Sequence, residues 1–141
     1  MANYLEIVKE FFSSEGINFR ERDDGRSITV PFTGENLKTI PVNLLFDPDG
    51  EHIVMADCWD VVKVAENKVE KAYALCNELN EKFRWVKFYV DSDRDIRVQL
   101  DAIMSEDNAG EVCREIVYRM VNIIDGAYIH AVEASIGELK F

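Results

Sequence analysis

Along this chain the spacing of apolar residues changes period several times, and each change marks a new element. Leu5, Val8, Phe11 and Phe12 recur on one helical face behind Asn3, whose three-residue offset to Glu6 is that of a helix N-cap with a reciprocal partner. The pattern predicts a helix from about Tyr4 to Ser14, stopping near Gly16. Ile17 and Phe19 then alternate with polar residues, Asp23-Asp24-Gly25 turns the chain, and Ile28, Val30 and Phe32 alternate again, which predicts a hairpin. Ile40, Val42, Leu44 and Phe46 share one face of a third strand, closed by the turn residues Asp47-Pro48-Asp49-Gly50. The segment from His52 to Trp59 mixes Ile53, Val54, Met55 and Ala56, so it predicts a strand buried on both faces or lying across a subunit contact.

From Glu66 the period lengthens. Val69, Ala72, Tyr73, Cys76, Leu79 and Phe83 form a helical stripe, and the Lys and Glu residues fall largely elsewhere. Val86, Phe88 and Val90 next alternate with Trp85, Lys87 and Tyr89. After the polar stretch Asp91 to Asp95, Ile96, Val98, Leu100 and Ala102 alternate with Arg97, Gln99 and Asp101, giving a second hairpin. Val112, Ile116, Met120, Ile123, Ala127 and Ala131 place a long helix at the C-terminal end, with Gly126 inside it marking close packing or a kink. Helices and antiparallel strands are segregated, so the class is α+β: an antiparallel sheet with packed helices, in the order α-β-β-β(-β)-α-β-β-α. No linker or repeat divides the sequence, and one domain is expected over residues 1–141.

Composition narrows the function. Apolar residues make up 48% and charged residues 30%, a globular balance, and no apolar run is long enough to span a bilayer. The start lacks the pattern of a secretory signal, so the cytoplasm is the expected compartment. A net charge of −11 without a basic patch argues against nucleic acid and favours basic partners. Cys58, Cys76 and Cys113 each sit in an apolar stretch and read as reduced core thiols, not nucleophiles served by His52 or His130.

No metal or cofactor is expected. Asp91, Asp93 and Asp95 have the opening spacing of a calcium loop, but Ile96 stands where glycine is needed and Ala102 where the closing carboxylate belongs. Asp47, Asp49 and Glu51 form a turn, and no local Cys/His set has zinc spacing. The glycines build no phosphate cradle. No catalytic residue is assigned.

The stretch from Asn77 through Asn80, Phe83, Lys87, Phe88 and Tyr89 to Asp91 resembles the corresponding segment of the YbjN-like family, and the order of elements agrees over nearly the whole chain. That resemblance implies the fold of type III secretion chaperones and a role as a sensory transduction regulator. It carries over no reaction and no ligand. Read on their own, Asn80 suits backbone hydrogen bonds where the helix stops, and Phe83 and Phe88 suit core anchors.

The leading expectation is a non-enzymatic protein-interaction domain, chaperone-like or regulatory, whose partner is another protein and which forms a homodimer. Leu45, Ile53, Met55, Trp59, Trp85 and Tyr89 alternate onto the second sheet face or lie at its edges. Either they form a docking patch, or the C-terminal helix covers them as core. The alternative is a small-ligand sensor or enzyme with a pocket holding Tyr73, His52 or Asp57.

Overall fold

The computed structural model describes residues 3–47, 52–134 and 137–139, with the side chains of 59–61, 129–134 and 137–139 left out. Helix α1 runs over Tyr4–Ser14, and its first turn closes as the spacing predicts, with the Glu6 amide donating to Asn3 Oδ1 at 3.1 Å. It ends where Gly16 takes φ +70°, which lets the Ile17 amide reach back to the Phe12 carbonyl at 2.9 Å and the Gly16 amide to Ser13.

Strands β1 (Arg20–Glu21) and β2 (Ser27–Phe32) form the first hairpin. Its turn is tied by Asp24 Oδ1, which accepts from the amides of Arg26 and Ser27, both at 3.0 Å. Strand β3 covers Ile40–Phe46, as the alternation predicts. Strand β4 covers Ile53–Val64, five residues past Trp59, because it absorbs an irregularity. Cys58 pairs with Val98 and Val62 with Ile96, so four steps along β4 match two on its neighbour and two residues are extra. The expected turn at Pro48-Asp49-Gly50 and the carboxylate of Glu51 lie outside the described residues.

A single 3-10 turn over Glu66–Lys68 leads into α2 (Val69–Lys82), followed by β5 (Lys87–Val90), β6 (Asp95–Ile103), α3 (Ala109–Ala134) and β7 (Gly137–Leu139). The pairing order is β1-β2-β3-β4-β6-β5, every pair antiparallel, with β7 added against Val62–Val64 of β4. Strand β7 carries no alternating signal in the sequence, and its partner lies 77 residues upstream by the register Leu139 to Val62.

Helices pack on one face of the sheet. Ile28, Val30, Ile40, Val42, Leu44, Phe46, Val54, Ala56, Cys58, Val98 and Leu100 meet Val8 and Phe12 of α1, Ala72, Leu75 and Leu79 of α2, and Cys113, Val117, Met120 and Ile124 of α3 in one buried cluster. Helices α1 and α3 approach closely: a Cβ on Gly110 would lie 2.2 Å from Phe11 Cγ. Close packing, one of the two things Gly126 is expected to mark beside a kink, is not met among the described residues. Helix α3 continues through Gly126, and among the described residues the nearest atom to a Cβ there is Phe83 Cζ at 4.0 Å. Of the two glycines within α3, packing therefore requires the one at its start.

Candidate functional site

With the described helices confined to one side, the other strand positions form a second face that none of them covers, the helix-free face. Its middle is a polar row set by register: Arg20 opposite Thr29, Thr29 opposite Asn43, Asn43 opposite Asp57, Asp57 opposite Gln99, and Gln99 opposite Lys87. Six strands at the usual spacing make the row about 24 Å long. Asp57, at 2% exposure, is buried within it. Its Oδ2 accepts from Arg97 Nη2 at 2.7 Å and from Gln99 Nε2 at 3.0 Å, and Arg97 keeps 26% of its side chain in solvent. Toward β1, Thr29 Oγ1 donates to Asn43 Oδ1 at 2.6 Å, and Arg22 Nη1 donates to the same oxygen at 3.2 Å. Burying these groups is tolerable because each is tied to a neighbour. Toward β5, the Tyr89 ring lies 5.8 Å from both the Arg97 guanidinium and Lys87 Nζ.

Beside this polar row lies an aliphatic one. Leu45 pairs with Met55, and Ile53 pairs with Ile103, which is 74% exposed. The structure thus brings Leu45, Ile53, Met55 and Tyr89 to one face. Trp85 is elsewhere: it occupies the loop between α2 and β5, 64% exposed, 5.2 Å beneath the Arg119 guanidinium of α3. The Trp59 and His130 side chains lie outside the described residues. The idea that α3 covers the second face is overturned, since α3 packs on the core face through Val117, Met120 and Ile124.

The residues of the family-like segment organise the edge of the sheet. Asn80 does not cap its own helix end. Its side chain pairs with the backbone of Phe88, accepting from the amide at 2.7 Å and donating to the carbonyl at 3.1 Å, so a side chain occupies the outer edge of β5 where another strand would pair. Phe83 packs against Phe88 with ring centroids 6.3 Å apart. Asp91 Oδ1 accepts from the amides of Asp93 and Asp95, both at 2.9 Å, which closes the β5–β6 turn. Asn77 is exposed on α2.

Among the described residues Tyr73 and Asp57 are not brought together. Tyr73 is exposed on α2, on the opposite side of the sheet from Asp57. Cys58, Cys76 and Cys113 are buried free thiols, and burial pushes Cys76 up to about 11 and Cys113 up to about 12. Among the described residues no three His, Cys, Asp or Glu side chains cluster as metal ligands, and no helix is long and apolar enough to cross a membrane.

The sequence matches the model of the YbjN family, described as "Putative bacterial sensory transduction regulator", over residues 4–127. The chain belongs to the YbjN family. No curated protein sequence matches it. Among solved structures, YbjN from E. coli superposes with a TM-score of 0.72 at 14% identity, covering 96% of each chain. The ExsC–ExsE complex gives 0.50 at 15% identity and 86% of each chain. The Yersinia pestis type III secretion chaperone SycH, solved with a fragment of YscM2, gives 0.45 at 12% identity over 86% of this chain and 99% of that one. The family match and the shared fold of E. coli YbjN bear out the YbjN-like resemblance and the α+β class read from the sequence.

Arg22, Thr29, Asn43, Arg97, Gln99 and Ile103 were not singled out by sequence. Only Ile103 carries a local signal, because it follows Ala102 and breaks the alternation of β6. The others become neighbours solely through register.

Proposed function

We propose that this YbjN-family chain is a non-enzymatic, cytoplasmic interaction domain, regulatory or chaperone-like, that receives another polypeptide on its helix-free sheet face. One observation carries the reading: the cross-strand pair Ile53 and Ile103 is 42% and 74% exposed next to the half-buried Leu45 and Met55, on the side of the sheet that no helix covers. Exposed aliphatic surface flanked by polar groups is the make-up of a protein contact. The similar fold of ExsC, solved in complex with ExsE, supports the same reading.

The test replaces Ile103 by Asp and Ile53 by Ser. A partner captured by a photo-crosslinker placed at position 103 is purified and titrated by calorimetry. Its affinity falls at least about tenfold with Ile103→Asp while the melting temperature holds, because truncating a central apolar anchor costs on the order of 2 kcal/mol of binding. Equal affinity for the variant refutes the docking face. A homodimer is part of the proposal, supported by the exposed Trp85 and Tyr118 on the helix side of the molecule. A sedimentation boundary at the 16.2 kDa of one chain, at micromolar concentration, refutes it.

A further inference from the structure

Strand β5 ends the pairing path of the sheet, and its outer edge is closed in two places. The Asn80 side chain takes both backbone groups of Phe88, the amide at 2.7 Å and the carbonyl at 3.1 Å. Alternation along the strand puts the Val86 amide on the same outer side, and the Arg84 carbonyl accepts from it at 2.9 Å. That bond closes a three-residue turn around Trp85, whose φ of +78° makes it the rarer, strained form of γ-turn. Glycine adopts such an angle freely, whereas a bulky side chain resists it, and here it is an exposed tryptophan. Arg119 of α3 lies over the ring at 5.2 Å and is itself tied to Glu115 at 2.7 Å, so the strained turn is propped from the helix layer. The strand at the other end of the path, β1, is only two residues long and offers a second chain little to pair with.

We propose that Asn80 and the Trp85 turn form a built-in block on strand addition: they occupy the outward backbone groups through which β5 would otherwise pair with β5 of a second copy of this chain. An uncovered edge presents donors and acceptors in register with any extended strand, and antiparallel pairing of a strand with its own copy satisfies a two-fold axis. Phe88, Tyr89 and Val90 are residues that favour such pairing, so this edge is a good template once bare. The block accounts for two features together, a side chain that spans both backbone groups of one residue and a tryptophan held at a positive φ. It does not depend on the docking-face reading, and it leaves a partner the face of the sheet instead of this edge.

The test compares the full chain with Asn80→Ala and with Gly110→Ala, which disturbs the α1–α3 contact far from β5. In sedimentation over rising concentration Asn80→Ala reaches about twice the mass of wild type, whereas Gly110→Ala keeps the wild-type mass. In dilute solution the Phe88 amide of Asn80→Ala exchanges with solvent about tenfold faster than in wild type, and it slows again as concentration rises because a second β5 covers it. The wild-type rate is the same at every concentration. Position 85 tests the turn with Asn80 intact: Trp85→Gly takes the positive φ without strain and keeps the wild-type mass, whereas Trp85→Pro cannot take that angle, frees the Val86 amide and associates. Where Asn80→Ala does not fold, Asn80→Asp carries the same comparison, since it keeps the acceptor for the Phe88 amide and frees only the carbonyl. A wild-type mass with concentration-independent Phe88 exchange in the Asn80 variants overturns the block, as does equal association of Gly110→Ala. Equal masses for the two Trp85 variants overturn the part played by the turn.

Discussion

Asp125 offers the most direct test of how this fold is held together. Its carboxylate sits on α3 and accepts three backbone amides from the loop between β2 and β3: Glu35 at 3.0 Å, and Asn36 and Leu37 at 2.9 Å. Gly34 makes room for this, since a Cβ there would come within 2.3 Å of Asp125 Oδ1. Burial works against ionisation of the carboxyl, but the Leu37, Asn36 and Glu35 amides together outweigh it and hold the group below its ordinary value. In Asp125→Ala, Glu35 and Asn36, both exposed, recover water, whereas Leu37 at 2% exposure cannot do so readily. One stranded amide plus the lost charge-assisted bonds costs on the order of 3 kcal/mol, and Asp125→Asn, which keeps one carbonyl acceptor, costs about 1 to 1.5 kcal/mol. Urea denaturation reads this as a lower midpoint at unchanged slope. The pH dependence has a definite sign. A depressed folded pKa means the carboxylate's contribution is fully present above the unfolded value near 3.9 and is lost as pH falls through the folded value below it. The gap between wild type and Asp125→Asn therefore closes in acid. A neutral-pH loss under about 0.5 kcal/mol for Asp125→Ala, or a gap to Asp125→Asn that does not narrow at low pH, refutes the clamp.

Other substitutions follow from the same geometry. Gly110→Ala drives a methyl into Phe11 and lowers stability by about 1 to 3 kcal/mol, whereas Gly126→Ala, with room around it, raises stability by up to about 1 kcal/mol; thermal melts of the pair decide both signs. Asn80→Ala uncaps the outer edge of β5, costs about 1 to 2 kcal/mol, and speeds hydrogen exchange at the Phe88 amide in particular. Arg97→Met leaves the buried Asp57 carboxylate with Gln99 as its described partner and costs about 2 to 3 kcal/mol; in a cycle with Asp57→Asn the two losses are not additive.

The elements were legible because their causes are local. The Asn3 and Glu6 pairing, the change of period at Glu66, the Asp24-Gly25 turn and the alternation of Val86, Phe88 and Val90 each act within a few residues. Even so, locality misled at Asn80, whose place near a helix end suggested a cap while its amide crosses to Phe88, and at Gly126, where helix position alone could not tell an empty surround from a crowded one.

What the chain specified by itself was its helices, most of its strands, the core parity of β2, β3, β5 and β6, its overall acidity and the family-like segment around Asn80. The tertiary structure decided the rest: that all three helices share one side of the sheet, that β7 joins β4, and that Asp57 meets Arg97 across 40 positions of sequence. Alternation states which residues of a strand lie together but not which face another layer will cover. Register between distant strands, set by the packing of the whole core, turned scattered positions into a polar row beside an exposed aliphatic pair.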